Sequence, residues 1–186
     1  GIISGGIRKT ELYLNDSLWQ FNARNKFKID GTTISFDQLL VTSGQQDISL
    51  NGVIAENPID TLHVGLTNFN LSHLNYFTAA DGLTLKGLVT GTSGLSNVYK
   101  TIEINSFNKF HQLYVNEQHI GNGEVKSSWS TMTQAIVLNG FFGRQASVHN
   151  IQFSGFYYPK RELDQLDIKV ELTNIQLGML QPLLKD

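Results

Sequence analysis

Residues 48–68 read "ISLNGVIAENPIDTLHVGLTN", and residues 151–174 read "IQFSGFYYPKRELDQLDIKVELTN". Each copy runs apolar-x-apolar to a glycine (Gly52, Gly155), then a proline-bearing turn (Pro58, Pro159), an aspartate and a returning apolar-x-apolar run that ends in Leu-Thr-Asn. Alternation at a period of two, bounded by Gly, Asn, Asp and Pro, predicts two strands joined by a hairpin turn. The shared ending, "LTNFNL" at 66–71 and "LTNIQL" at 172–177, marks a duplicated structural unit, because a catalytic site is rarely written twice. The matched segments extend into internal repeats over about residues 27–80 and 110–186.

The same period governs the rest of the chain. Trp19, Phe21, Ala23, Phe27 and Ile29 share one parity while Gln20, Asn22, Arg24, Lys26 and Lys28 share the other, which predicts one long half-buried strand. Further runs follow at Ile34 and Phe36, Ile48 and Leu50, Leu62 to Leu66, Leu83 to Val89, and Ile102 and Ile104. They continue at Val125 and Trp129, Ile136 and Leu138, Ile151 and Phe153, and Leu166 to Leu172, so the chain reads as a β-meander of about ten or more strands. After each Leu-Thr-Asn the apolar residues step by three, and "NLSHLNYFTAADG" and "QLGMLQPLLKD" take up near-helical spacing. Each repeat is therefore expected to end in a short capping helix. In the first, Leu71, Leu74 and Phe77 share a helical face, Ser72 is placed to be the N-cap and Gly82 the stop.

Composition narrows the function classes. With 40% hydrophobic and 16% charged residues the chain folds through apolar burial. A net charge of −2, with no basic run longer than Arg8–Lys9 or Lys160–Arg161, gives no footprint for a phosphate backbone, so nucleic acid is not an expected partner. The absence of cysteine removes disulfides and thiolate chemistry but fits more than one compartment. The sequence opens at Gly1 with "GIISGGIRKTELYL", which reads as the interior of a longer protein, so any signal or membrane anchor is expected outside this stretch.

No motif carries chemistry. His63, His73, His111, His119 and His149 lack the spacings that a helix- or strand-borne metal site favours. "GTSGL" at 91–95 lacks the closing glycine of a nucleophile elbow, and "GNGEVK" at 121–126 lacks the third glycine and following helix of a phosphate loop. Asn15 and Asn70 open short acceptor patterns for glycosylation that carry little information. The chain is expected to be non-enzymatic, without metal or cofactor.

The segments "LNGVIAENPIDTLHVGLTNFNLSHLNYF", "LTLKGLVTGTSGLSNVYKTIEINSF", "LYVNEQHIGNGEVKSSWSTMTQAIVLNGFF" and "FSGFYYPKRELDQLDIKVELTNIQLGMLQPLL" resemble the repeating β-segments of the TamB family, the AsmA-like translocation and assembly module subunit of the Gram-negative envelope. The resemblance implies a periplasmic protein anchored in the inner membrane by a helix outside this stretch, with a TamA-like outer-membrane barrel protein as partner. It implies phospholipid transport between the membranes, outer-membrane protein assembly, or both, and hence acyl chains or client proteins as cargo. The expected fold is all-β: a long meandering antiparallel sheet curled into a β-taco or half-barrel groove, with an apolar concave face and short capping helices. Trp19, Phe21, Phe27, Ile48, Leu62, Val64, Leu66, Ile136, Leu138, Ile168 and Val170 share the apolar parity and are expected to line that face. The alternative is a β-sandwich or solenoid binding module, in which Trp19, Phe21, Phe36, Trp129 and Phe153 fill a core and a patch of exposed aromatics on the polar parity binds a ligand.

Overall fold

The computed structural model describes residues 1–8, 10–14, 17–144 and 150–174. Its strands are β1 (Ile2–Gly5), β2 (Glu11–Leu14), β3 (Ser17–Phe21), β4 (Lys26–Asp30), β5 (Thr33–Ser43), β6 (Gln46–Ile54) and β7 (Thr61–Asn70). After a helical stretch follow β8 (Leu85–Ser96), β9 (Glu103–Val115), β10 (Gln118–Ser130), β11 (Ala135–Gly143), β12 (Ile151–Tyr157) and β13 (Leu166–Leu172). All join one 13-stranded antiparallel sheet in which β4 to β13 run in sequence order. The sheet does not close into a barrel. Among the described residues there is one sheet and not the two layers of a sandwich.

The long strand expected from Trp19 to Ile29 is two strands lying end to end along β5. Phe21 pairs with Val41 and Lys26 with Asp37, so the chain loops out between them. Asn25 sits buried in that loop, where its Oδ1 accepts from the Ile7 N–H at 2.7 Å and its Nδ2 donates to the Ile7 carbonyl at 2.7 Å. Ala23 lies in the turn, not on a strand face.

The steps of three have a different origin from the one expected. In β7, Leu66 pairs with Gly91 and Phe69 with Val89, so one extra residue is inserted and both apolar side chains stay on one face. This is a β-bulge, with Asn68 in the left-handed region at φ 47°. The strand continues through it to Asn70. The same apolar-x-amide-apolar unit recurs at 36–39 and 110–113, with Gln38 at φ 52° and Gln112 at φ 50°, and Asn174 after the second Leu-Thr stands at φ 52°. Each bulge is served by a polar side chain on a neighbouring strand or loop, as a displaced backbone group requires. Asn68 N–H donates to Thr90 Oγ1 at 2.9 Å, Gln112 N–H to Asn122 Oδ1 at 2.8 Å, and Asn22 Nδ2 to the Gln38 carbonyl at 2.9 Å. Beside Asn174, past the end of β13, Asn150 Nδ2 donates to the Thr173 carbonyl at 3.1 Å.

Beyond β7 the chain turns helical over Leu71–Leu74, Asn75–Thr78 and Ala79–Asp81, in 3₁₀, α and 3₁₀ form. The N-cap is Asn70, not Ser72: its Oδ1 accepts from the Ser72 N–H at 3.0 Å. Gly82 closes the stretch in the left-handed conformation at φ 77°. Leu71 and His73 are buried, but Leu74, Tyr76 and Phe77 are exposed, so the expected Leu71–Leu74–Phe77 face is not the packed one. The expected second cap, 176–186, lies outside the described residues, as do Asn15 and His149.

Candidate functional site

Pairing register assigns faces across the whole sheet, since residues opposite one another point the same way. One row runs Phe21, Val41, Ile48, Leu66, Gly91, Asn108, Val125, Gly140, Phe153, Val170. Next to it runs Leu50, Val64, Ser93, Ser106, Ser127, Leu138, Gly155, Ile168. Phe27, Phe36, Gly52 and Leu62 form a third, while Trp19 and Ile136 lie two residues along their strands from Phe21 and Leu138. All of the residues expected to line a groove therefore share one face. His63, Asn139 and Lys169 share the other.

That face is concave. Strands β3 and β7 are separated by β5 and β6, about 14 Å in a flat sheet, yet the rings of Trp19 and Phe69 lie 6.2 Å apart. Tyr99, in the β8–β9 turn, donates from its hydroxyl to the Thr32 carbonyl in the β4–β5 turn, again across three strand spacings. The curl concentrates burial at one end, where Trp19, Phe69, Leu71, Val89 and Leu113 form a cluster roofed by the first helical turn. His73 is sealed there against both rings, at 5.6 Å from each, and neither of its nitrogens has a hydrogen-bond partner among the described residues. Burial alone holds its imidazole pKa below the ordinary value.

Exposure grades across the face. Trp19 is 2% exposed, Leu62 and Ile136 are also buried, and Phe21, Phe27, Ile48, Val64, Leu66, Leu138 and Ile168 are half-buried. Val170, on the edge strand β13, is 51% exposed. No second layer covers the half-buried stretch among the described residues. Alternation alone did not show that the same face changes character in its middle. There β8 to β10 contribute Gly91, Ser93, Ser106, Asn108 and Ser127, with Ser106 and Ser127 hydroxyls 2.7 Å apart and Asn108 Nδ2 donating to Ser106 Oγ at 3.2 Å. These small residues form the floor of a trough between two apolar flanks.

Among the described residues no group of three or more His, Asp or Glu side chains could hold a metal ion. No helix among them is long and apolar enough to cross a membrane. No family model, curated protein or solved structure matches this chain.

Proposed function

We propose that the concave face receives the acyl chains of phospholipids, and that the chain is a non-enzymatic segment of a TamB-like periplasmic envelope protein. The observation that carries this reading is the half-buried apolar face of a single sheet with nothing layered upon it among the described residues. A half-buried apolar face without a covering layer is suited to binding an apolar ligand, and each methylene removed from water contributes about 0.8 kcal/mol. The trough of Gly and Ser side chains gives a chain of methylenes a place to lie between the apolar flanks. An inner-membrane anchor and a TamA-like barrel partner belong to the same reading.

A client outer-membrane protein is the second reading, favoured by β13. It ends the sheet with one ladder edge unpaired among the described residues, while Leu166 and Val170 stand exposed on the apolar face. An incoming strand could extend the sheet there. A photo-crosslinking residue at Val64 or Leu138 in the full-length protein in cells separates the two. Phospholipid adducts are expected at these positions and not at His63 or Asn139 on the opposite face. Protein adducts alone at Val64 and Leu138 would favour the client reading, and equal capture on both faces would defeat both.

A further inference from the structure

The helical stretch that roofs the closed end presents apolar side chains on two sides. Leu71 and His73 turn inward and are buried, whereas Tyr76 is 77% exposed, Phe77 is 70% exposed and Leu74 is exposed with them. Phe77 stands three residues beyond Leu74, the spacing that makes helical neighbours, and its ring meets that of Tyr76 edge-on at 5.2 Å. Leu83, also exposed, follows the stretch and donates from its N–H to the Thr78 carbonyl at 3.1 Å. These residues form an apolar tip at the end of the sheet where the concave face closes. The tip is firmly held. Asn75 Oδ1 accepts from the Leu85 N–H at 2.7 Å, and its Nδ2 donates to the Leu85 carbonyl at 3.0 Å. The carbonyls of Ser72, Asn75, Thr78 and Ala79 accept from the N–H groups of Asn75, Ala79, Leu83 and Gly82, and the Leu74 carbonyl accepts from Thr78 Oγ1 at 3.3 Å. A helix end that faces water commonly leaves such carbonyls to the solvent, but here they are met within the tip itself.

We propose that this tip docks the chain on the surface of a phospholipid bilayer, with Tyr76 and Phe77 inserted at the boundary between headgroups and acyl chains. Three observations choose this occupant. Backbone groups that leave water for lipid need partners of their own, and those carbonyls have them. No Asp, Glu, Lys or Arg occurs from Thr61 to Ala80, so the segment brings no charge that has to shed its water on entry. The side chains of the tip cover a few hundred Å², against the about 800 Å² that each partner of a stable protein pair buries, so the tip alone does not hold a second copy. A bilayer surface sets no such minimum, and aromatic and leucine side chains on one side of a short amphipathic element suit it. The inference rests in part on the acyl-chain reading above: a trough that receives acyl chains has to meet the membrane that holds them, and the tip stands at the closed end of that trough. With a net charge of −2 and no charged side chain in the segment, the docking is apolar and not electrostatic.

The test uses phosphatidylcholine vesicles. The chain has no cysteine, so a single environment-sensitive fluorophore can be attached through Ala80→Cys beside the tip, or through Met132→Cys in the β10–β11 turn at the other end of the strands. With vesicles the label at 80 is expected to shift to the blue and the chain to sediment with the lipid, equally in low and high salt and with or without added phosphatidylglycerol. The label at 132 should not shift. Tyr76→Ser and Phe77→Ser are each expected to weaken vesicle binding by about tenfold. Both rings are exposed, so the urea midpoints of these variants should match the parent's and report that they are folded. The proposal is overturned if the vesicles do not bind, if binding requires phosphatidylglycerol, if the variants bind as the parent does, or if both labels shift alike. It is also overturned if Phe77→Ser abolishes a concentration-dependent dimer in sedimentation velocity, which would make the occupant a second copy. Phospholipid adducts at Val64 without vesicle binding would sink the docking and leave the acyl-chain reading standing, and vesicle binding through Phe77 without such adducts would do the reverse.

Discussion

At the scale of single residues, His73 is the least compensated group in the closed end. The residue is 3% exposed, and both ring nitrogens lack partners among the described residues although the ring packs against Trp19 and Phe69. Burial disfavours the imidazolium, so the folded pKa lies below the unfolded value near 6.5. In the window between those two values the unfolded chain holds more protons than the folded one. Stability contributed by neutral His73 is thus complete above about pH 6.5 and is lost as pH falls toward the folded pKa. Urea midpoints measured from pH 7.5 down to 5 are expected to fall, and His73→Phe should flatten that fall. The same substitution removes two buried unpaired nitrogens and should raise stability at pH 7 by about 1 kcal/mol. A parallel fall in parent and variant would assign the pH dependence elsewhere. None of this is legible in "NLSHLNY", because the burial of His73 depends on Trp19 arriving from a strand more than fifty positions earlier.

Among the elements, the bulges explain both what alternation revealed and where it misled. Period two is a local property of extended backbone, so the parity of the lining residues was readable from one sequence. A step of three fits the onset of a helix as well as an inserted strand residue, and only the dihedral angle separates them. "LTNF" therefore fits a strand end equally well, and in "FDQL" and "FHQL" the left-handed residue is Gln, which is not among the usual turn formers. The physical requirement is a residue that tolerates positive φ, which Asn and Gly meet and a β-branched residue does not. Asn68→Gly should be close to neutral in urea denaturation, whereas Asn68→Val should cost about 1–3 kcal/mol. Equal effects would mean that the left-handed backbone at this position is not what limits substitution. The bulges on β5, β7 and β9 also add local twist and bend on alternate strands, which draws Phe36 and Leu39, Leu66 and Phe69, and Phe110 and Leu113 onto one face of a curled sheet.

For the molecule as a whole, the deciding quantity is how much of the apolar face lacks cover. A compact chain of 20.8 kDa exposes about 8,900 Å² by the usual scaling, and this one exposes 12036 Å². The difference is in keeping with an open sheet whose edges, β1 and β13, do not meet. Such openness was beyond the reach of alternation, because the same inward parity fills a sandwich or lines a trough depending on the long-range path of the chain. Leu62 and Val64 turn this into a measurement, since they lie two residues apart on β7 and point the same way. Leu62 is 6% exposed, and an aspartate there would be held away from water at a cost of several kcal/mol. Val64 is half-buried, and a carboxylate at that position can turn toward the solvent in the trough. Leu62→Asp is therefore expected to abolish a cooperative urea transition, while Val64→Asp lowers the midpoint by only about 1 kcal/mol of stability. If Val64→Asp unfolds the chain as completely as Leu62→Asp, the stretch beneath Val64 is packed shut, and neither acyl chains nor client strands could lie there without displacing protein.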